Sequence, residues 1–116
     1  MTVEPMNEAN GTPRVLRAAG ELEVGSVPRI LPRIPELVGG ATGVVLDLTE
    51  VTFLDSAGVR LVDRLGQECS HRQIPFRVVV PPDHRARRIL EIVGFGPPMV
   101  ADDLPAGLAA VRAAAS

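Results

Sequence analysis

Residues 44–72 constrain this chain most. An apolar, β-branched run, Val44–Val45–Leu46, passes through a short polar stretch into a segment with helical periodicity. The run reads as a buried strand, since strands covered on both faces are continuously apolar. In the second segment Gly58, Leu61, Val62, Leu65 and Cys69 fall on one face at the 3.6-residue period. Between them, Phe53–Leu54–Asp55–Ser56–Ala57–Gly58 is predicted to be a polar knuckle joining two buried elements. Backbone amides at a new helix start have no intrahelical acceptor, so a side-chain oxygen from Asp55 or Ser56 can cap them. The same amides and the helix dipole favour a negative charge, a phosphate included. Ser56 is the expected attachment point for such a phosphate.

Elements of the same two kinds alternate along the rest of the chain. Residues 1–13 form an N-terminal segment in which Thr2 to Met6 reads as an edge strand, turned at Asn10–Gly11, although Pro5 weakens that assignment. Residues 14–116 form the domain proper. Arg14–Gly20 is a predicted strand, followed by the acidic loop Glu21–Leu22–Glu23. Ser26 resembles an N-cap, with Pro28 just inside a helix start. Ile30, Leu31, Ile34, Leu37 and Val38 supply an apolar face. Pro32 and Pro35 each cost about 3 kcal/mol or more inside a helix, so a short, kinked or partly irregular helix is expected, ended by Gly39–Gly40.

Pro75–Val80 reads as another apolar strand. Pro81–Pro82 ends it, and Asp83 is placed to cap a helix running to about Val93, with Gly94 as its stop. Ala86, Ile89, Leu90 and Val93 are its expected buried face, and Arg85, Arg87 and Arg88 its solvated side. Met99–Ala101 is a short strand. Asp102–Asp103 then caps an alanine-rich helix from Leu104 to about Ala114, with Leu104, Leu108 and Val111 facing inward. The alternation predicts an α/β domain with a mainly parallel sheet of four or five strands and about four helices. No internal repeat or low-complexity linker interrupts it.

Composition excludes several functions. The chain is 116 residues long, enough for one domain. Its hydrophobic fraction of 46% suits a globular protein. Charges or prolines interrupt every apolar run well short of the ~18 residues of a membrane helix. The N-terminus has neither the positive flank nor the apolar core of a signal peptide, so a cytoplasmic protein is expected. Cys69 is the single cysteine, on the apolar helix face, which points to a buried thiol. A net charge of −2, with no Tyr or Trp, argues against direct nucleic-acid binding.

Enzyme chemistries fail for want of parts. A nucleophile elbow needs Gly-x-Ser-x-Gly, but Leu54 stands where the first glycine belongs. His71 and His84 are isolated from other metal ligands, so no metal is expected. Gly39–Gly40 and Gly94–Gly96 match no phosphate loop. No cofactor is indicated, and weak nucleotide binding is not visible in these residues. Asp47 and Asp55 would make a carboxylate pair only if they met at the strand end; a surface turn or cap is the expected role of such an Asp. The expectation is a protein that is not an enzyme.

Thr52-Phe53-Leu54-Asp55-Ser56-Ala57-Gly58-Val59, preceded by Val44-Val45-Leu46-Asp47-Leu48, resembles the signature of the STAS domain. The likeness is greatest to bacterial anti-sigma factor antagonists, or anti-anti-sigma factors, and spans roughly Arg14 to Arg112. Gly20-Glu21-Leu22-Glu23 is similar to the family's Gly-Glu-Leu-Asp turn. The resemblance implies an α/β sheet of four or five strands, the first antiparallel. It also implies a phosphoprotein that regulates transcription, as in stress responses, by partner switching. The unphosphorylated antagonist would bind an anti-sigma factor that is itself a serine kinase and so free a sigma factor. Phosphorylation of Ser56 would break the complex, and a serine phosphatase would reset it.

The implied partner surface is Glu21, Glu23, Asp55, Ser56, Ala57, Gly58 and Arg60. No membrane contact is implied, and a weak homodimer is left open. Three departures mark this chain: Glu23 where the family usually has Asp, Arg60 where glycine is frequent, and Pro32 with Pro35 in the first helix. Arg60 lies one turn from Ser56, within reach of a phosphate or of a partner's acidic groups. The competing reading is a STAS accessory subunit of a transporter or lipid-trafficking complex, never phosphorylated, in which Ser56 only caps the helix.

Overall fold

The apolar run at 44–46 is the middle of a sheet. In the computed structural model, which describes residues 2–7 and 12–115, five strands lie in the order β1-β2-β3-β4-β5. They are β1 (Thr2–Pro5), β2 (Pro13–Leu22), β3 (Gly43–Leu54), β4 (Phe76–Val79) and β5 (Val100–Ala101). Only β1 runs antiparallel, against β2; the other neighbours are parallel. The helices are α1 (Ile34–Val38), α2 (Ser56–His71), α3 (Arg85–Ile92) and α4 (Leu104–Ala115). This is the expected α/β architecture, with the edge strand at residues 2–5 present and the Asn10–Gly11 turn outside the described residues.

Alternation along the strands divides two cores. Val44, Leu46, Leu48, Val78 and Val80 face α1, α2 and α3, where Leu61, Val62, Leu65 and Cys69 are all fully buried. Val45 and Val79 face the other way, towards Val111 of α4. The α2 stripe is the one the periodicity marks out. Burial pushes the Cys69 thiol up to about 12, with the neighbouring Glu68 carboxylate adding to the shift.

Prolines write the segment before β3. Pro28, Pro32 and Pro35 each sit in the first positions of a new turn: two 3₁₀ turns, Val27–Arg29 and Leu31–Arg33, and then α1. A missing N–H is harmless there, so three short turns replace one helix. Arg14 closes the series, its guanidinium donating to the carbonyls of Leu37 (2.9 Å) and Gly39 (2.7 Å).

Several expectations are corrected. β2 runs on through Glu21 and the fully buried Leu22, so the loop is Glu23–Ser26 and not Glu21–Glu23. Ser26 makes no helix cap; its hydroxyl donates to the carbonyl of Glu21 (2.7 Å) and accepts from the N–H of Glu23 (3.2 Å). Asp47 is no surface turn residue. It lies within β3, 4% exposed, accepting from the Thr49 N–H (2.9 Å) and hydroxyl and facing Arg17 at 3.6 Å.

The cap of α3 is His84, whose ring Nδ1 accepts from the Ala86 N–H (3.1 Å), and not Asp83. Val93 is exposed, since α3 ends at Ile92 and turns at Gly94 with φ +101°. Arg87 is drawn inward by the Val80 carbonyl (2.7 Å) and the Asp102 carboxylate (2.8 Å), leaving Arg85 and Arg88 on the exposed side.

Candidate functional site

The end of β3 carries the site, and two irregularities aim it. Arg17 pairs with Asp47 but Ala19 with Glu50, and Gly20 pairs with Val51 but Glu21 with Phe53. At each step β3 carries one residue more than β2, a bulge that bends the strand and shifts its face. The inward residues therefore change spacing from two to three: Leu46, Leu48, Val51, Leu54. Phe53, between them, is half-exposed on the outer side.

At the last rung Leu54 pairs with Leu22, and the Asp55 N–H donates to the Leu22 carbonyl at 3.2 Å. One extended residue, Asp55, then starts α2. Its Oδ1 accepts from the N–H groups of Ala57 (2.8 Å) and Gly58 (3.3 Å), while Oδ2 accepts from the Val24 N–H (3.3 Å). One carboxylate thus caps the helix and ties down the Glu23–Ser26 loop. Of the two candidates for the cap, Asp55 has the role.

Ser56 is thereby left free. It is the first residue of α2, exposed, and its hydroxyl makes no hydrogen bond among the described residues. Arg60, one turn on, is exposed and has no hydrogen bond or ion pair among the described residues. Ala57 is half-buried. Gly58 is buried, and a Cβ built on it would lie 2.6 Å from the Leu22 carbonyl oxygen and 2.7 Å from Leu54 Cδ1. It shapes the site through the close approach of α2 to β2, not as a surface contact. Glu21 is exposed and Glu23 half-buried on the neighbouring strand end and loop. The structure therefore gathers Glu21, Glu23, Asp55, Ser56, Ala57 and Gly58 at one end of the sheet, with Arg60 on the adjoining helical turn.

Two features escape sequence reasoning. Val24, whose N–H reaches Asp55, is 74% exposed at the loop tip. Beside Phe53, a mainly apolar crevice of about 160 Å³ opens between the end of β3 and the start of α3, lined by Thr52, Leu54, His84, Arg85 and Ile89 among others. The three-residue spacing of Leu48, Val51 and Leu54 was the available signal for Phe53 facing out. Asp47 and Asp55 are eight residues apart along β3, roughly 25 Å, and form no carboxylate pair. No group of three metal-ligating side chains comes together among the described residues. No helix among them is long and apolar enough to cross a membrane.

A family model for the STAS domain matches residues 4–103, and the chain belongs to the STAS domain family. Solved structures of the same fold include the anti-sigma factor antagonist SpoIIAA. Its unphosphorylated form is 23% identical with TM-score 0.66, covering 90% of this chain and 91% of that one. Its phosphorylated form, from Bacillus, is 24% identical with TM-score 0.68, covering 89% and 92%. An anti-sigma factor antagonist from Mycobacterium paratuberculosis is 22% identical with TM-score 0.74, covering 96% and 95%. A sulfate transporter family protein from Wolinella succinogenes is 19% identical with TM-score 0.73, covering 97% and 91%. No curated protein matches in sequence.

Proposed function

We propose that this protein is an anti-sigma factor antagonist acting by partner switching: it binds an anti-sigma factor that is a serine kinase while Ser56 is bare and releases it once Ser56 is phosphorylated. The observation that carries the reading is the division of labour at the helix start. Asp55 caps the Ala57 and Gly58 amides, so the Ser56 hydroxyl is exposed and takes no part in the cap. Phosphoryl transfer moves the γ-phosphoryl group of ATP to Ser56 Oγ, the hydroxyl proton passes to a base of the kinase, and ADP leaves. The chain supplies the acceptor and is not itself the enzyme. A serine phosphatase resets it, in the cytoplasm.

Electrostatics make the step decisive. A phosphoserine carries about −1.5 to −2 charges at pH 7. On the free surface water solvates it. Under a docked partner it must shed that water beside Asp55, which costs several kcal/mol. A net loss of about 3 kcal/mol weakens binding more than a hundredfold. That SpoIIAA has been solved in both forms, with both matching this fold, supports a switch by surface charge without refolding.

Incubation with the cognate kinase and ATP adds one phosphoryl group by intact mass, and Ser56→Ala abolishes it. Ser56→Asp weakens the complex; an unchanged affinity refutes the charge mechanism. The likeness to a sulfate transporter family protein favours a second reading, an accessory subunit of a membrane assembly. Co-purification with a membrane complex, with Ser56 unmodified under every condition, would replace the first reading by the second.

A further inference from the structure

Resting on the reading of Ser56 as a phosphoacceptor, we infer that Arg60 is the group on this chain that holds the Ser56 phosphate and sets its ionisation. A phosphate at a helix start ordinarily takes the free backbone amides. Here the N–H groups of Ala57 and Gly58 are already bound to Asp55 Oδ1, and Asp55 Oδ2 holds the Val24 N–H. A phosphate on Ser56 therefore finds those donors taken and a carboxylate beside it. Glu21 and Glu23, on the adjoining strand end and loop, add negative charge.

Arg85 and Arg60 are the cations to compare, one at the crevice beside the end of β3 and one on the helix that Ser56 begins. Arg85, at the start of α3, lines the crevice with Phe53 and Leu54 at the end of β3. Arg60 shares the rigid α2 helix with Ser56 at the i,i+4 spacing, where side chains meet. It is exposed, with no hydrogen bond or ion pair among the described residues, so no existing contact has to break. The dianion attracts the guanidinium more than the monoanion does, so Arg60 lowers the second ionisation of the phosphate. Asp55 keeps the cap, and the Glu23–Ser26 loop stays tied.

The test uses the whole chain with phosphoserine placed at position 56 by genetic encoding, so it reads out even if no kinase ever modifies Ser56. Failure here is thus distinct from failure of the kinase assay above. Titration of the phosphorus resonance gives the second ionisation, ordinarily near pH 6. Arg60→Gln raises that midpoint by about 0.3 pH unit, and Arg60→Lys returns most of the shift. A midpoint that Arg60→Gln leaves in place, or that Arg85→Gln moves as far, overturns the assignment. So does faster exchange of the Val24 amide on phosphorylation of the otherwise unaltered chain, because the phosphate would then have displaced Asp55.

Discussion

Two glycines of the same helix respond oppositely to alanine, and the reason is spatial. At Gly58 a new Cβ meets the Leu22 carbonyl oxygen at 2.6 Å, Leu54 Cδ1 at 2.7 Å and Leu22 Cβ at 2.9 Å. Ordinary carbon contacts begin at about 3.5 Å, so the start of α2 must retreat by close to 1 Å. The carbonyl belongs to a paired strand and cannot swing aside. It also accepts the Asp55 N–H, so retreat strains the residue that caps the helix. Overpacking of this kind costs about 1–3 kcal/mol, and the helix preference of alanine over glycine offsets at most about 1.

Gly58→Ala is therefore expected to lose about 1–2 kcal/mol, a fall of roughly 4–8 °C in Tm for a domain of this size. At Gly66 the nearest atoms to a new Cβ are ring carbons of Phe76 at 3.4 and 3.5 Å. That is ordinary contact, so Gly66→Ala gains up to about 1 kcal/mol of helix preference. Urea denaturation of the two variants beside the parent chain reads both. A Gly58→Ala protein as stable as its parent would refute the tight approach of α2 to β2 on which the placement of Ser56 rests.

Other outcomes follow from the same geometry. Asp55→Ala removes the acceptor of three N–H groups and is expected to cost about 1–2 kcal/mol in denaturant melts, with faster exchange at the Val24 amide. Ser56→Ala, which removes no hydrogen bond among the described residues, is expected to stay within about 0.5 kcal/mol of the parent. Cys69 is expected to resist thiol reagents at pH 8 in the folded protein and to react on unfolding, because burial holds it protonated up to about 12. The unfolded chain releases that proton first, so this group's contribution to stability is complete below about pH 9 and declines as pH rises from there towards 12. A pH-stability profile with Cys69→Ala as reference isolates it.

What the sequence determined is whatever depends on local periodicity. The apolar run at 44–46 and the stripe Gly58, Leu61, Val62, Leu65, Cys69 could be read directly, because a strand and a long amphipathic helix each repeat at their own period. The prolines at 32 and 35 foretold an irregular segment, since each forbids the interior of a helix wherever it stands.

Only the tertiary structure could decide the rest, because it turns on neighbours remote in the chain. The two bulges in β3 change its inward spacing from two to three, so the two-residue alternation that marks a strand does not carry on from Leu48 to Leu54. Asp47 is buried facing Arg17 of the adjacent strand, and Arg87 is drawn inward because Asp102 and the Val80 carbonyl receive it. The choice of Asp55 over Ser56 as cap was open in the sequence, since either side chain offers an oxygen at the right place. It was settled by the Leu22 carbonyl and the Val24 N–H, which fix Asp55 with its carboxylate turned to the helix amides and leave the serine hydroxyl to solvent.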